Sequence, residues 1–282
     1  MLDGALGTRL EERGLARGPL WSARALLVAP AAVREAHAAE TAAGAEILTA
    51  NTFRTHERTV ARASIPESAD SLTRIAVALA REVAAVAGRA VAVFGSLSPL
   101  EDCYRPDLVP DDEDLAREHG AQARAILEAG ADGILVETHN SIRELVAATR
   151  AARATGLPVV ASMVTDGNGR LLSGEPIGDA ARALEPLAPD ALAINCVPWK
   201  LLAGDLRVLA AAAPGRRLGA WGNLGRPGRH GYEEAASPEQ YAERAAEWAA
   251  IGARLIGGCC GTTPAHTAAV RDTLMPGAPR PA

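Results

Sequence analysis

The chain has 282 residues, 48% of them hydrophobic, and a formal net charge of -5. That length suits one large domain, and a mildly acidic balance offers no basic field for a nucleic acid backbone or an anionic membrane, so neither is expected as a partner. No run approaches 18 uncharged apolar residues, and Met1 to Thr8 lacks the basic and apolar segments of a secretory signal, so a cytoplasmic protein is expected.

Taken in order, Leu2 to Leu6 is a short apolar run that breaks at Gly7 and predicts a first strand. Pro30 to Ala43 then predicts a helix, and Ala45 to Thr52 a strand that ends in polar residues. The pattern recurs. Helix Pro66 to Ala87 leads into strand Ala90 to Ser96, helix Asp111 to Ala129 into Gly133 to Thr138, and helix Ser141 to Thr155 into Leu157 to Met163. Helix Gly178 to Leu187 leads into Ala191 to Cys196, a helix from about Lys200 to Ala213 into Leu218 to Asn223, and helix Pro238 to Ile251 into Ala253 to Cys259, with Pro264 to Leu274 as the closing helix.

Strand runs that are apolar throughout fit a parallel sheet covered on both faces. Eight such runs alternating with eight helical segments, with no linker or composition break, predict an α/β fold, a single (β/α)8 TIM barrel spanning residues 1–282, in preference to an open doubly wound sheet.

Two of the four cysteines stand side by side in Gly257-Gly258-Cys259-Cys260-Gly261-Thr262-Thr263-Pro264. A disulfide between neighbours is disfavoured, because adjacent Cα atoms lie about 3.8 Å apart and bridged cysteines need roughly 4.4 to 6.8 Å. Two inert core thiols would need both faces of the strand covered, since successive side chains point to opposite sides. A metal site is the third reading. It requires the chain to leave strand geometry, which Gly257, Gly258 and Gly261 permit.

Barrel chemistry sits at the C-terminal ends of the strands. Read together, those ends carry Asp3, Asn51 with Thr52, Ser96, Glu137 with Thr138, Asn195 with Cys196, Asn223, and Cys259 with Cys260. Cys196, Cys259 and Cys260 therefore meet at one rim, and three thiolates make a zinc site with one open position, the arrangement of a catalytic centre. Thr263 before Pro264 reads as an N-cap and N1 pair, which brings a positive helix end near the thiolates. Asp3 and Glu137 are two carboxylates able to grip an amino group. Cys103 and His139 receive no metal role.

These residues resemble the zinc-dependent homocysteine S-methyltransferase family. The matching pieces are Asp3-Gly4-Ala5-Leu6-Gly7-Thr8, Leu20-Trp21-Ser22, Ala50-Asn51-Thr52-Phe53, Gly95-Ser96-Leu97-Ser98-Pro99, Glu137-Thr138, Ile194-Asn195-Cys196 and Gly257 to Pro264, in the family's order along essentially the whole chain. The resemblance implies that Cys196, Cys259 and Cys260 hold Zn²⁺ as the catalytic centre, with the homocysteine thiol at its open position. It also implies that Asp3 and Glu137, with Asn195, Ser96 and Thr52, bind the amino acid.

The implied reaction passes a methyl group from a small donor to homocysteine and yields methionine. Among the family's small donors are S-methylmethionine, S-adenosylmethionine and betaine. Thr138 stands where betaine-using members carry tyrosine, and Thr52-Phe53-Arg54 and Ser98-Pro99-Leu100 replace the Tyr-Gln and Gly-Pro-Tyr of sulfonium-using members. A sulfonium donor is favoured. Two alternatives stay open: the same chemistry on another thiol or selenol or with a betaine-like donor, and a thiol-binding zinc module that serves a corrinoid partner protein. The oligomeric state is open as well.

Overall fold

A computed structural model describes residues 1–225, 227–228 and 231–277. Residues 278–282, the end of the expected domain, lie outside the described residues. Strands β1 (Ile47–Ala50), β2 (Ala92–Leu97), β3 (Gly133–His139), β4 (Val159–Met163), β5 (Ala191–Pro198) and β6 (Leu218–Asn223) are followed by a two-residue pair, β7 (Pro227–Gly228) and β8 (Gly231–Tyr232), and by β9 (Ala253–Ile256). Between and around them run α1 (Leu6–Glu12), α2 (Ala25–Val28), α3 (Pro30–Ala43), α4 (Glu57–Ala63), α5 (Ala69–Ala85), α6 (Asp112–Glu128), α7 (Ile142–Arg153), α8 (Ile177–Leu184), α9 (Leu202–Ala212), α10 (Pro238–Ile251) and α11 (Pro264–Leu274).

The helix starts follow from their caps. Ser68, Asp111, Ser141 and Ser237 each accept a hydrogen bond from the amide three residues on, which satisfies a donor that the first helical turn leaves free. Pro30, Pro238 and Pro264 occupy first-turn positions where a missing N–H costs nothing. α3 stops at Gly44, whose φ of 109° suits only glycine.

Seven strands form one parallel sheet in the order β1-β2-β3-β4-β5-β6-β9. Eight strands were expected, and the first is the one that does not form. Only Leu2 makes a parallel bridge, to Ile47, because the chain turns at Gly4 and gives Leu6 to α1. This short segment still bonds on both sides. Leu2 N–H donates to the Ile256 carbonyl at 2.9 Å and Asp3 N–H to that of Ile47 at 3.1 Å, while Gly258 N–H donates to the Asp3 carbonyl at 3.1 Å.

The sheet is curled, and its concave face holds a small apolar layer. Leu2, Ile47, Phe94, Leu135, Val160, Ala193, Trp221 and Leu255, contributed by the first segment and all seven strands, pack together there. A larger apolar layer lies between the outer face of the sheet and the helices. The short helices α1, α2 and α4 were not expected; α1 and α4 contribute residues to the cavity described below. Among the described residues no helix is long and apolar enough to cross a membrane.

Two of the strands carry irregularities that matter below. The register of β3 shifts between Val136 and His139, and that of β5 between Asn195 and Pro198. Inside those bulges Thr138 and Cys196 adopt left-handed φ values of 64° and 57°, which β-branched and bulky residues rarely tolerate.

Candidate active site

The C-terminal ends of the strands open into a cavity of about 1370 Å³. Asp3, Ser96, Glu137, Cys196, Cys259 and Cys260 all line it. The three sulfurs lie within 4.8 Å of one another, and the Cys196 and Cys260 sulfurs are 3.9 Å apart. Ligands 2.3 Å from zinc at tetrahedral corners would stand about 3.8 Å apart. The trio has the spacing and donor chemistry of a metal centre.

Backbone departures bring the thiols together. On one side, the bulge in β5 turns Cys196 into the cavity, and Asn223 Nδ2 donates to the Cys196 carbonyl at 2.8 Å. On the other, β9 ends at Ile256 and the chain leaves strand geometry through Gly257 and Gly258. A side chain at Gly257 would stand 2.9 Å from the Asp3 carbonyl oxygen, and one at Gly258 would stand 2.2 Å from Thr262 Oγ1. Gly261 then takes a φ of 85°. The turn is pinned at both cysteines, because Cys259 N–H donates to the Gly222 carbonyl at 3.1 Å and Leu224 N–H to that of Cys260 at 2.9 Å.

Three thiols this close cannot share the same ionisation. Hydrogen bonds from Cys259 and Cys260 hold the Cys196 thiol well below the ordinary cysteine value. The same bonds to Cys196 push Cys259 and Cys260 well above it. Deprotonating all three would set like charges side by side, and a cation bound among them would offset that repulsion.

Both carboxylates face the same space. Asp3 accepts from Thr49 N–H and Thr49 Oγ1, each at 2.7 Å, yet burial pushes its carboxyl up to about 8. Ser96 Oγ donates to Glu137 Oε1 at 2.5 Å, and burial pushes Glu137 up to about 7. An incoming ammonium would restore the charged form of either group. Behind Asp3 lies Glu40, which is 3% exposed, accepts from Thr267 Oγ1 at 2.7 Å and raises Asp3 further. Nothing in the sequence near Glu40 signals this, since it sits inside a helix far from any strand end.

Thr52 and Asn195, grouped with the substrate-binding residues by the sequence, do not line the cavity. Thr52 Oγ1 accepts from Ser96 N–H and donates to the Ser96 carbonyl, both at 2.8 Å, and so ties β1 to β2. Asn195 works behind the wall. Its Oδ1 accepts from Thr138 N–H at 2.9 Å and from Ser162 Oγ at 2.7 Å, and its Nδ2 donates to Thr138 Oγ1 at 2.8 Å, which locks the two bulges to each other.

Three further residues stand close to this constellation, one of them, Asn223, already a polar strand end in the sequence. The Tyr104 hydroxyl lies 3.1 Å from the Cys196 sulfur, carried there by the loop after β2. Asn223 Nδ2 lies 3.7 Å from the same sulfur, and Trp221 forms part of the wall beside Glu137. Cys103 is buried and lines the cavity, but it is not in the cysteine cluster. His139 is buried, hydrogen-bonded to the Leu97 carbonyl at 3.1 Å and outside the cavity wall.

A profile of the homocysteine S-methyltransferase family matches residues 1–274. The chain is 33% identical over 288 residues to methionine synthase of Mycobacterium tuberculosis, across 94% of this chain and 24% of that protein. It thus spans about a quarter of the length of the mycobacterial methionine synthases it resembles. It is 32% identical over 299 residues to the homocysteine S-methyltransferase of Escherichia coli, across 96% of this chain and 94% of that protein. The crystal structure of the homocysteine methyltransferase MmuM from Escherichia coli in its metallated form has a TM-score of 0.83 to this chain at 30% identity, covering 96% of this chain and 94% of that one.

Proposed function

The chain belongs to the homocysteine S-methyltransferase family, and we propose that it transfers a methyl group from a small sulfonium donor to the thiolate of homocysteine, forming methionine. The observation that carries this reading is the convergence of Cys196, Cys259 and Cys260 on one wall of a cavity that also presents Asp3 and Glu137. Cys196, Cys259 and Cys260 would hold Zn²⁺, which when bound would supply the Lewis acidity that favours the thiolate form of a thiol of ordinary pKa about 8.5 at neutral pH.

The remaining work falls to side chains of the chain itself. Asp3 and Glu137 accept hydrogen bonds from the homocysteine ammonium, and Ser96 orients Glu137. Asn195 and Thr52 hold the bulge and the strand pair on which those groups stand. With the amino acid fixed at one end and its sulfur at the cysteines, the thiolate attacks the methyl carbon in line with the departing sulfonium sulfur, which leaves as a neutral thioether. Thiol ligands that must stay reduced fit a reducing compartment such as the cytoplasm.

The same reading takes the fold to its finer form. Bonds from the first segment to both edges of the sheet, and one apolar cluster fed by all seven strands and Leu2, support a closed (β/α)8 barrel as one domain over residues 1–282.

Protein purified under reducing conditions should carry a single zinc ion per chain and form methionine from homocysteine with S-methylmethionine or S-adenosylmethionine. Cys259→Ala should lose both metal and transfer. A metal-free protein with full activity would overturn the proposal.

A further inference from the structure

The cavity, at about 1370 Å³, is far larger than one amino acid needs, and aromatic and basic residues line it as well as the cysteines and carboxylates. Trp21, Phe53 and Arg54 line it too. Phe53 meets Trp21 edge to face at 6.0 Å, and the Arg54 guanidinium lies 5.1 Å from the centre of the Phe53 ring. Trp21 reaches this place only because residue 7 is glycine, where a side chain would stand 2.2 Å from the indole.

Arg54 is an unusual charge for such a position. Of its donors, Nη1 reaches the Glu101 carbonyl at 2.9 Å and the Pro99 carbonyl at 3.5 Å. Nε and Nη2 have no hydrogen-bond partner among the described residues. The carboxylate nearest in sequence to those carbonyls is already taken, since Glu101 bridges Arg58 and Arg62 at 2.7 and 2.6 Å. Arg62, the other cation lining the cavity among the described residues, is therefore neutralised, and Arg54 is not.

A guanidinium left unpaired in a partly dry cavity is costly, and it repels a cationic donor unless an anion lies between them. Its planar fork matches a carboxylate, and two donors are free. We propose that Arg54 binds the carboxylate of the methyl donor, so that this site accepts zwitterionic sulfonium compounds, whose positive end points to the cysteines and whose carboxylate lies on Arg54. This rests on the methyl transfer proposed above. It also separates the two amino acids in the ternary complex: acidic residues hold the acceptor by its ammonium, and a basic one holds the donor by its carboxylate.

The test compares S-methylmethionine with dimethyl(3-aminopropyl)sulfonium, the same sulfonium without its carboxylate. Equilibrium binding to the zinc-loaded protein is measured by calorimetry with no homocysteine present, so the result does not depend on turnover. Hydrogen bonds to charged groups predict that the wild type prefers the carboxylate-bearing compound by about tenfold or more. Arg54→Gln should abolish that preference, Arg54→Lys should restore part of it, and homocysteine affinity should stay unchanged in both. Equal binding of the two compounds by the wild type overturns the assignment. So does a loss of homocysteine affinity in Arg54→Gln with the donor preference intact, which would give Arg54 to the acceptor's carboxylate. A wild type that shows the preference, lost in Arg54→Gln, yet forms no methionine would instead count against the methyl transfer alone.

Discussion

Glu137 shows how a buried carboxylate can lower stability near neutral pH. Burial raises its carboxyl from 4.5 to about 7, which corresponds to about 3 kcal/mol. Because the folded value is the higher one, the stabilising contribution is complete below pH 4.5 and is lost as pH rises through about 7. In metal-free protein, Glu137→Gln should flatten the fall in melting temperature across that window and make the variant more stable than the wild type at pH 8. The same variant should bind homocysteine at least tenfold more weakly, as read by calorimetry, because the ammonium loses a charged partner. A variant that melts like the wild type at every pH would show that the carboxyl is not proton-linked to folding. Glu137 and Ser96 were both legible in the sequence as polar groups at strand ends and in the family motifs, but not that Ser96 donates to Glu137. Glu40 was hidden, because a glutamate inside an alanine-rich helix looks like an ordinary solvated residue.

At the scale of elements, the site depends on places where regular structure fails. Thr138 and Cys196 hold left-handed conformations that cost of order 1–3 kcal/mol each, and Asn195 offsets that cost by bonding across from one bulge to the other. Asn195→Ala would strand Thr138 N–H, Thr138 Oγ1 and Ser162 Oγ in a buried setting, for a loss of roughly 2–4 kcal/mol in chemical denaturation. It should also weaken zinc binding about tenfold to a hundredfold in chelator competition, as expected when a group that orients a ligand is removed. Wild-type zinc affinity in that variant would mean that Cys196 keeps its position without the tie. At the opposite wall, Gly258→Ala should likewise lose zinc, because the new methyl group would displace Thr262 and with it the turn that carries Cys259 and Cys260. The alternation of strands and helices was readable from apolar runs and caps, and most boundaries fall within a few residues of expectation. The bulges were not readable, since Glu137-Thr138 and Asn195-Cys196 continue apolar runs with no glycine to mark the break.

For the molecule as a whole, the first three residues do the work of the missing strand. Leu2 is 2% exposed, packs inside the curl and bonds to Ile256, while Asp3 bonds to Ile47 and Gly258. Leu2→Ala should cost roughly 2–5 kcal/mol in chemical denaturation, as buried leucine truncations do. It should also reduce zinc retention, because the same segment supports Gly257 and Gly258. Destabilisation with unchanged zinc retention would show that the closure and the metal centre are independent.

The sequence by itself determined the order of elements, the chemistry available at the strand ends and the family resemblance, because periodicity, caps and short motifs are local properties of the chain. Only the tertiary structure decided which polar residues face the cavity and which stand behind it, as Thr52 and Asn195 do. It alone brought Tyr104 and Asn223 to the Cys196 sulfur and left Arg54, beside Phe53, without an ion pair among the described residues. The physical reason is that a strand end fixes where a side chain begins but not where it points. Direction depends on bulges, left-handed residues and long-range hydrogen bonds, each of which joins parts of the chain that no local pattern connects.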